Sequence, residues 1–214
     1  MKLTVHEFVS LDGVMQGPGG PDEDTSGGFD RGGWIVPYVD DAFGRIVDDW
    51  FARTSELLFG RTTYDVMTAY WPQVTDPGDA VAATLNARPK HVVSTTLTDP
   101  QWQHTASVIT DDVVAAVRAL RDRPGDELQV HGSWQLVQTL HDAGLVDEYR
   151  LIEFPVVLGA GKRLFRDGGA ATGFTVVQTE VTGTGAVYRA VRPVPFRAGS
   201  HAVEEGKDVA SLGG

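Results

Sequence analysis

The sequence predicts an α/β protein whose mainly parallel central sheet carries helices on both faces and ends in an antiparallel edge. Three observations predict it. Apolar strand-like runs alternate with segments of helical periodicity through the middle of the chain. Two of those strands run into a glycine that opens a helix, at Leu57-Leu58-Phe59-Gly60-Arg61-Thr62-Thr63-Tyr64 and at Leu128-Gln129-Val130-His131-Gly132-Ser133-Trp134. Residues 174–180 and 186–191 then alternate as a hairpin around Thr182-Gly183-Thr184-Gly185.

The elements follow in order. Residues 2–11 form a first strand that ends at Ser10-Leu11-Asp12-Gly13. A long glycine- and acid-rich connection follows, holding Gly19-Gly20, Gly27-Gly28 and Gly32-Gly33, and connections of that length are lids or disordered. Trp34 and Tyr38 at its far end read as anchors or as ligand contacts. From Asp40 or Asp41, either of which suits a cap, Phe43, Ile46, Val47, Trp50 and Phe51 recur at helical spacing. Residues 57–59 are strand. A short helix runs from Thr62 or Thr63 through Met67 and closes at Tyr70-Trp71-Pro72. Residues 73–89 are helix and turn with a boundary at Arg88-Pro89. Residues 91–94 are strand, and Thr110-Asp111 caps a helix whose face is Val113, Val114, Val117 and Leu120. Strand at 127–130, helix at 134–140 and strand at 147–157 lead to the turn Leu158-Gly159-Ala160-Gly161. One domain over 1–192 and a loose tail over 193–214 is the expected division.

Composition narrows the function classes. At 214 residues, 42% of them hydrophobic, the chain can bury a sizeable core. The formal net charge of −11 disfavours nucleic acid as a partner, while a few local donors still suffice for a small anionic ligand. There is no cysteine, so disulfides, zinc–thiolate sites and a thiol nucleophile are excluded, and a cytoplasmic location is expected. The start reads as a strand rather than a signal peptide, and no run approaches membrane-spanning length.

The chemistry-bearing residues gather at strand ends. Gly60, Arg61, Thr62 and Thr63 offer a guanidinium, two hydroxyls and helix amides that suit phosphate; alternatively Arg61 pairs with a surface carboxylate and Thr62 only caps. Gly132 and Ser133 repeat the geometry, as a phosphate approach or a tight turn. His131 before them reads first as a packed histidine. Ser94 and Thr95 end a strand, where ligands or ordinary turns are equally at home. Asp12 orders its turn, faces a ligand or caps. His6 and Glu7 lie on opposite strand faces, so at most one meets a cleft. The Gly-x-Gly-x-x-Gly fingerprint, the Gly-Lys-Ser/Thr loop, a nucleophile elbow and metal-ligand histidine spacing are all absent. Hydride transfer from a bound cofactor, which asks mainly orientation of the protein, survives these eliminations.

With those residues in view the chain resembles the dihydrofolate reductase-like superfamily, and within it the bacterial proteins grouped with the reductase (RibD C-terminal) domain of riboflavin biosynthesis. The matching text is Phe8-Val9-Ser10-Leu11-Asp12-Gly13-Val14-Met15, Leu58-Phe59-Gly60-Arg61-Thr62-Thr63-Tyr64, Val130-His131-Gly132-Ser133, Gly144-Leu145-Val146-Asp147-Glu148-Tyr149 and Pro155-Val156-Val157-Leu158-Gly159-Ala160-Gly161-Lys162-Arg163-Leu164-Phe165. These blocks cover about residues 2–192 in the family's order.

The resemblance implies a three-layer α/β/α fold that binds NADPH across the carboxyl ends of the strands. By motif, Gly60, Arg61, Thr62 and Thr63 would hold the adenosine-side phosphates, Ser94 and Thr95 the 2′-phosphate or adenine end, and Gly132 and Ser133 the pyrophosphate. Val9, Ser10, Leu11 and Asp12 would line nicotinamide and substrate; the expected proton donor is Asp12, or a water in its place. Residues 17–34 would be a lid, mobile without ligand, with Trp34 and Tyr38 facing the substrate. The carboxylate that dihydrofolate reductases place on the helix before the Gly-Arg motif has no counterpart near Phe43-Gly44-Arg45, and Asp40, Asp41 and Asp48 are out of phase. Folate reduction is therefore disfavoured, and an acid-rich lid disfavours a phosphorylated aminouracil. The expected function is NADPH-dependent reduction of a small heterocycle. The alternatives are a nucleotide- or flavin-binding protein without turnover, and the aminouracil reductase itself. A homodimer built near the hairpin strands is expected, unless the tail covers that apolar edge.

Overall fold

The computed structural model describes residues 1–213. Eight strands form one sheet: β1 (Lys2–Ser10), β2 (Thr54–Gly60), β3 (Lys90–Val93), β4 (Thr105–Ile109), β5 (Glu127–His131), β6 (Glu148–Phe154), β7 (Thr172–Val181) and β8 (Val187–Pro195). Their order is β4-β3-β2-β5-β1-β6-β8-β7. The first six in that order run parallel, and β8 and β7 close the far edge antiparallel. Five helices cross over: α1 (Asp41–Phe51), α2 (Arg61–Tyr70), α3 (Ala80–Ala87), α4 (Val113–Arg121) and α5 (Trp134–Asp142). The fold class read from the sequence is the one observed.

Strand β1 shows why the parallel centre reads as continuous rather than alternating. It lies between β5 and β6 with a helix layer over each face, so almost every residue from Leu3 to Ser10 is buried. One face joins Leu3, Val5 and Val9 to Val117, Leu136, Val137 and Leu140. On the other face Ile46 and Trp50 of α1 meet Ile152 and Phe154. The lateral core under α2 and α3 joins Phe51, Leu57, Phe59, Tyr64, Leu85 and Trp102.

Several expectations need correction. Strand β4 lies outside the strands expected from the sequence, because it pairs with β3 alone and only Ile109 of its five residues is buried. Helix α2 starts at Arg61 and reaches Tyr70, longer than expected at both ends. The cap of α4 is Asp112, whose carboxylate accepts from the Ala115 amide at 3.1 Å, not Thr110-Asp111. The segment read as a loose tail forms an exposed antiparallel hairpin of β9 (Gly199–Glu204) and β10 (Lys207–Leu212), its backbone groups satisfied by each other.

The connection after β1 is pinned rather than loose. Gln16 is buried at its centre: its side-chain amide donates to the Asp24 and Ser26 carbonyls at 3.1 and 2.9 Å and its Oε1 accepts from the Lys162 amide at 3.1 Å. Lys162 Nζ meets the Asp24 carboxylate at 2.6 Å, and Phe29 is buried.

Candidate functional site

A cavity of about 1340 Å³ opens along the carboxyl ends of the central strands. It extends from the segment 15–24, past the starts of α2 and α5, to a chamber between α1 and the α2–α3 region. The crevice outside the carboxyl ends of parallel strands is where an open α/β sheet binds ligand.

Two helices start on this cavity, and their capping differs from that of the others. Helices α1, α3 and α4 are each capped by an aspartate: Asp40 accepts from the Phe43 amide at 2.8 Å, Asp79 from Ala82 at 2.8 Å and Asp112 from Ala115 at 3.1 Å. Helices α2 and α5 have no side-chain cap at all. The first amides of a helix lack internal partners, so Arg61 to Thr63 and Trp134 to Leu136, all at the cavity wall, present donors and the positive end of two macrodipoles.

The two strand ends are stitched together beneath them. Ser133 Oγ accepts from the Gly60 amide at 2.9 Å, and the Ser133 amide donates to Thr63 Oγ1 at 2.8 Å. Gly132 and Ser133 both adopt the left-handed region, with φ of 61° and 63°. A Cβ on Gly132 would meet Thr63 Cγ2 at 3.0 Å, so glycine is required there for close approach as well as for φ. Ser133 holds a conformation costing roughly 1–2 kcal/mol for an L-residue, a strain its two cross-strand hydrogen bonds offset.

The cavity therefore gathers Gly60, Arg61, Thr62, Thr63, Gly132 and Ser133, but several are committed within the protein. The amides of Gly60 and Ser133 and the Thr63 hydroxyl already have partners. Arg61 Nε pairs with Asp65 at 2.7 Å one helical turn on, both side chains about half exposed. The surface pairing is thus the one formed.

Other candidates lie off the wall. Ser94 is a turn residue, its Oγ accepting from the Thr96 and Leu97 amides at 3.2 and 3.0 Å, and Thr95 is exposed outside the cavity. Val9 is core, and Leu11 is exposed on the surface. Ser10 Oγ donates to Asp12 at 2.7 Å and accepts from the Val14 amide at 2.9 Å. Asp12 is locked: its carboxylate also accepts from the Leu158 and Gly159 amides at 3.0 and 2.7 Å. Burial alone would raise its pKa, yet the hydrogen bonds from Ser10 and the 158–159 turn together hold it below the usual value. Asp12 orders a turn and is not placed to give a proton. Trp34 is buried and donates to the Gln16 carbonyl at 2.8 Å, and Tyr38 reaches the Pro155 carbonyl at 3.4 Å; both are anchors.

The sequence reading left two cavity residues without a role. His6 and Glu7 both line the cavity, although they occupy opposite faces of β1, because the cavity wraps around the strand ends. Glu7 is buried and its Oε1 has no partner. Burial pushes its pKa well above the ordinary carboxylate range, Glu23 nearby pushes the same way, and the Gly132 amide opposes them weakly. His6 pairs in register with His131 across β1 and β5, the rings stacked at 4.8 Å. Phe51 stacks on His131 at 4.6 Å, and Trp50 meets His6 edge-on at 5.0 Å. Burial drives both histidines toward the neutral form, His131 down to about 3. Beneath them Arg150 bridges Glu127 and Glu148 at 2.6 and 2.9 Å, fully enclosed.

Among the described residues no cluster of potential ligands could hold a metal, and no helix is long and apolar enough to cross a membrane.

Comparison with known proteins agrees with this architecture. The family model of the RibD C-terminal domain matches residues 1–188. The YyaP protein of Bacillus subtilis (strain 168) is 30% identical over 181 residues, covering 84% of this chain and 88% of its own length. A pyrimidine reductase-like protein from Corynebacterium diphtheriae superposes with a TM-score of 0.62 at 12% identity, over 91% of this chain and 92% of that one. The dihydrofolate reductase of Enterococcus faecalis, solved with NADP(H), gives 0.55 at 13% identity, over 90% and 96%. At such identities the structural likeness speaks to fold.

Proposed function

The chain belongs to the RibD C-terminal domain family, and on that footing we propose that it is an NADPH-dependent reductase acting on a small pterin-, pyrimidine- or flavin-like heterocycle. The observation that carries this reading is the pair of helices that open, without side-chain caps, on one cavity while the other three helices are capped by aspartate. Two uncapped starts are a donor set that fits a dinucleotide's phosphates. The amides of Arg61 to Thr63 would hold one phosphate group and those of Trp134 to Leu136 the other. Arg61 would exchange Asp65 for the cofactor's extra phosphate.

When bound, the nicotinamide supplies hydride. The chain's own residues orient and enclose: the segment 15–24 walls one side against water, and the aromatic groups of α1 wall the other. With Asp12 committed to its turn, Glu7 is the buried acid at the cavity wall, its pKa raised by burial.

A titration with NADPH and NADH tests the reading. NADPH is expected to bind more tightly, and Arg61→Ala to weaken it by about ten- to a hundredfold, the worth of a charge-assisted hydrogen bond of roughly 1.5–3 kcal/mol. Melting temperature should barely change, since an exposed i,i+4 ion pair contributes only about 0.3–0.5 kcal/mol. Equal dissociation constants for the two cofactors would refute the assignment.

A further inference from the structure

The floor of the chamber sets a histidine acceptor beside one partnerless donor, the indole N–H of Trp50. Gln129 fixes the acceptor on His131: its amide nitrogen donates to the Trp50 carbonyl and to Glu127 Oε2, both at 2.7 Å, so its Oε1 can only accept. That oxygen takes the Thr54 hydroxyl at 2.7 Å and His131 Nε2 at 3.1 Å, which places the imidazole proton on Nε2 and a lone pair on Nδ1. One strand over, His6 Nε2 shares a hydrogen bond with Thr4 Oγ1 at 2.9 Å, and its Nδ1 has no partner. Of the two stacked neutral imidazoles, His131 thus offers an acceptor at Nδ1, and His6 Nδ1 has no protein partner.

The charges around the chamber have one sign. Asp48, Asp76 and Asp79 line it, and Asp22, Glu23 and Asp24 line the segment beside it. The cavity has two cations, Arg61 and Lys162, and each is already paired, with Asp65 and Asp24 at 2.7 and 2.6 Å. The walls between are Phe8, Phe43, Trp50 and Phe51, flat apolar surface suited to a planar ring. An anion entering the chamber would meet carboxylates with no free side-chain cation to offset them.

Resting on the reductase reading, which makes this chamber the substrate's place, we propose that its substrate is a planar ring presenting at least one N–H donor and carrying no phosphate or other anionic group. In the chamber, away from the two helix starts that would take the cofactor's phosphates, the carboxylates disfavour a phosphorylated heterocycle and the His131 acceptor disfavours a fully N-alkylated ring.

Matched probes test this. Fluorescence titration should show riboflavin binding at least tenfold more tightly than flavin mononucleotide, which adds only a phosphate. Pterin should bind at least tenfold more tightly than 1,3-dimethyllumazine, whose ring N–H groups are methylated. Asp48→Asn combined with Asp76→Asn, both exposed, should bring the flavin ratio toward one. His131→Phe, which keeps the stack and removes the acceptor, should do the same for the pterin ratio. Equal or tighter binding of either disfavoured partner overturns the proposal, and so does failure of all four probes to bind. NADPH affinity is measured on the same protein: if it is retained while the ratios fail, the substrate class alone falls. Absent NADPH binding with both ratios intact sinks the reductase instead.

Discussion

Replacing Asp12 separates a structural carboxylate from a catalytic one. Its two oxygens accept from Ser10 Oγ at 2.7 Å and from the Leu158 and Gly159 amides at 3.0 and 2.7 Å, tying the end of β1 to the turn after β6. Hydrogen bonds to a charged group are worth about 1.5–3 kcal/mol each when buried, and solvent at this partly exposed site discounts them, so Asp12→Ala should cost about 2–4 kcal/mol in all. For a chain of this size that is a fall of about 5–15 °C in melting temperature. The sign of the pH dependence follows from a folded pKa below the unfolded one. The stabilisation is complete above the unfolded value of about 3.9 and is lost as pH falls through the folded value. Wild type and variant should therefore differ at pH 7 and converge in acid. Thermal and urea denaturation at both pH values, alongside NADPH titration of the folded variant, measure it. An unchanged melting temperature with abolished turnover would return Asp12 to catalysis and refute the reasoning.

Glu7→Gln should act in the opposite direction. The folded protein keeps the Glu7 proton above the pH at which the unfolded chain has lost it, so wild-type stability falls with rising pH by up to about 1.4 kcal/mol per unit in that window. The glutamine variant should lack this slope and be the more stable at pH 8; parallel urea profiles would show that Glu7 ionises normally. Lys162→Ala removes the 2.6 Å contact to Asp24 and should speed amide exchange across residues 17–33, with protection returning when NADPH and substrate are both bound. Exchange unchanged by the substitution would mean that the Gln16 hydrogen bonds alone hold the segment. Strand β7 leaves Val176, Val177 and Val181 exposed on a free edge, and the β9–β10 hairpin makes its strand pairing only with itself. A dimer by light scattering is expected both for the full chain and for one ending at Arg192. A monomeric full chain with an aggregating short form would show instead that the tail covers the edge.

Long buried elements were legible because one cause dominated each. The apolar periodicity of α1 and the glycine breaks after β2 and β5 follow from burial and backbone geometry, which local sequence encodes. Strand β4 was not legible, since the five residues Thr105–Ile109 are too short a run to carry a period of their own and form a strand because β3 offers an edge. The exposed β9–β10 hairpin escaped for a similar reason: its glycine turn at Gly206 has φ of 78°, but no hydrophobic alternation marks a buried face.

At the site the limit was the fate of each polar group, which depends on partners far away in sequence. Asp12 and Glu7 are both acids of β1 and its turn, and nothing local says which one is spent. Asp12 is spent on amides 146 and 147 positions on, whereas Glu7 Oε1 meets nothing. The same holds for Ser133, whose residue type and position suggest a capped α5. Its hydroxyl turns instead to the Gly60 amide, 73 positions back. That single rotation leaves the first turn of α5 open and joins the two helix starts into one donor surface. Replacing Ser133 by alanine should therefore loosen the spacing between the two starts rather than uncap a helix. The expected signature is weaker NADPH binding, with the helical circular dichroism of the protein unchanged. A loss of helicity with cofactor affinity preserved would show that Ser133 caps α5 after all.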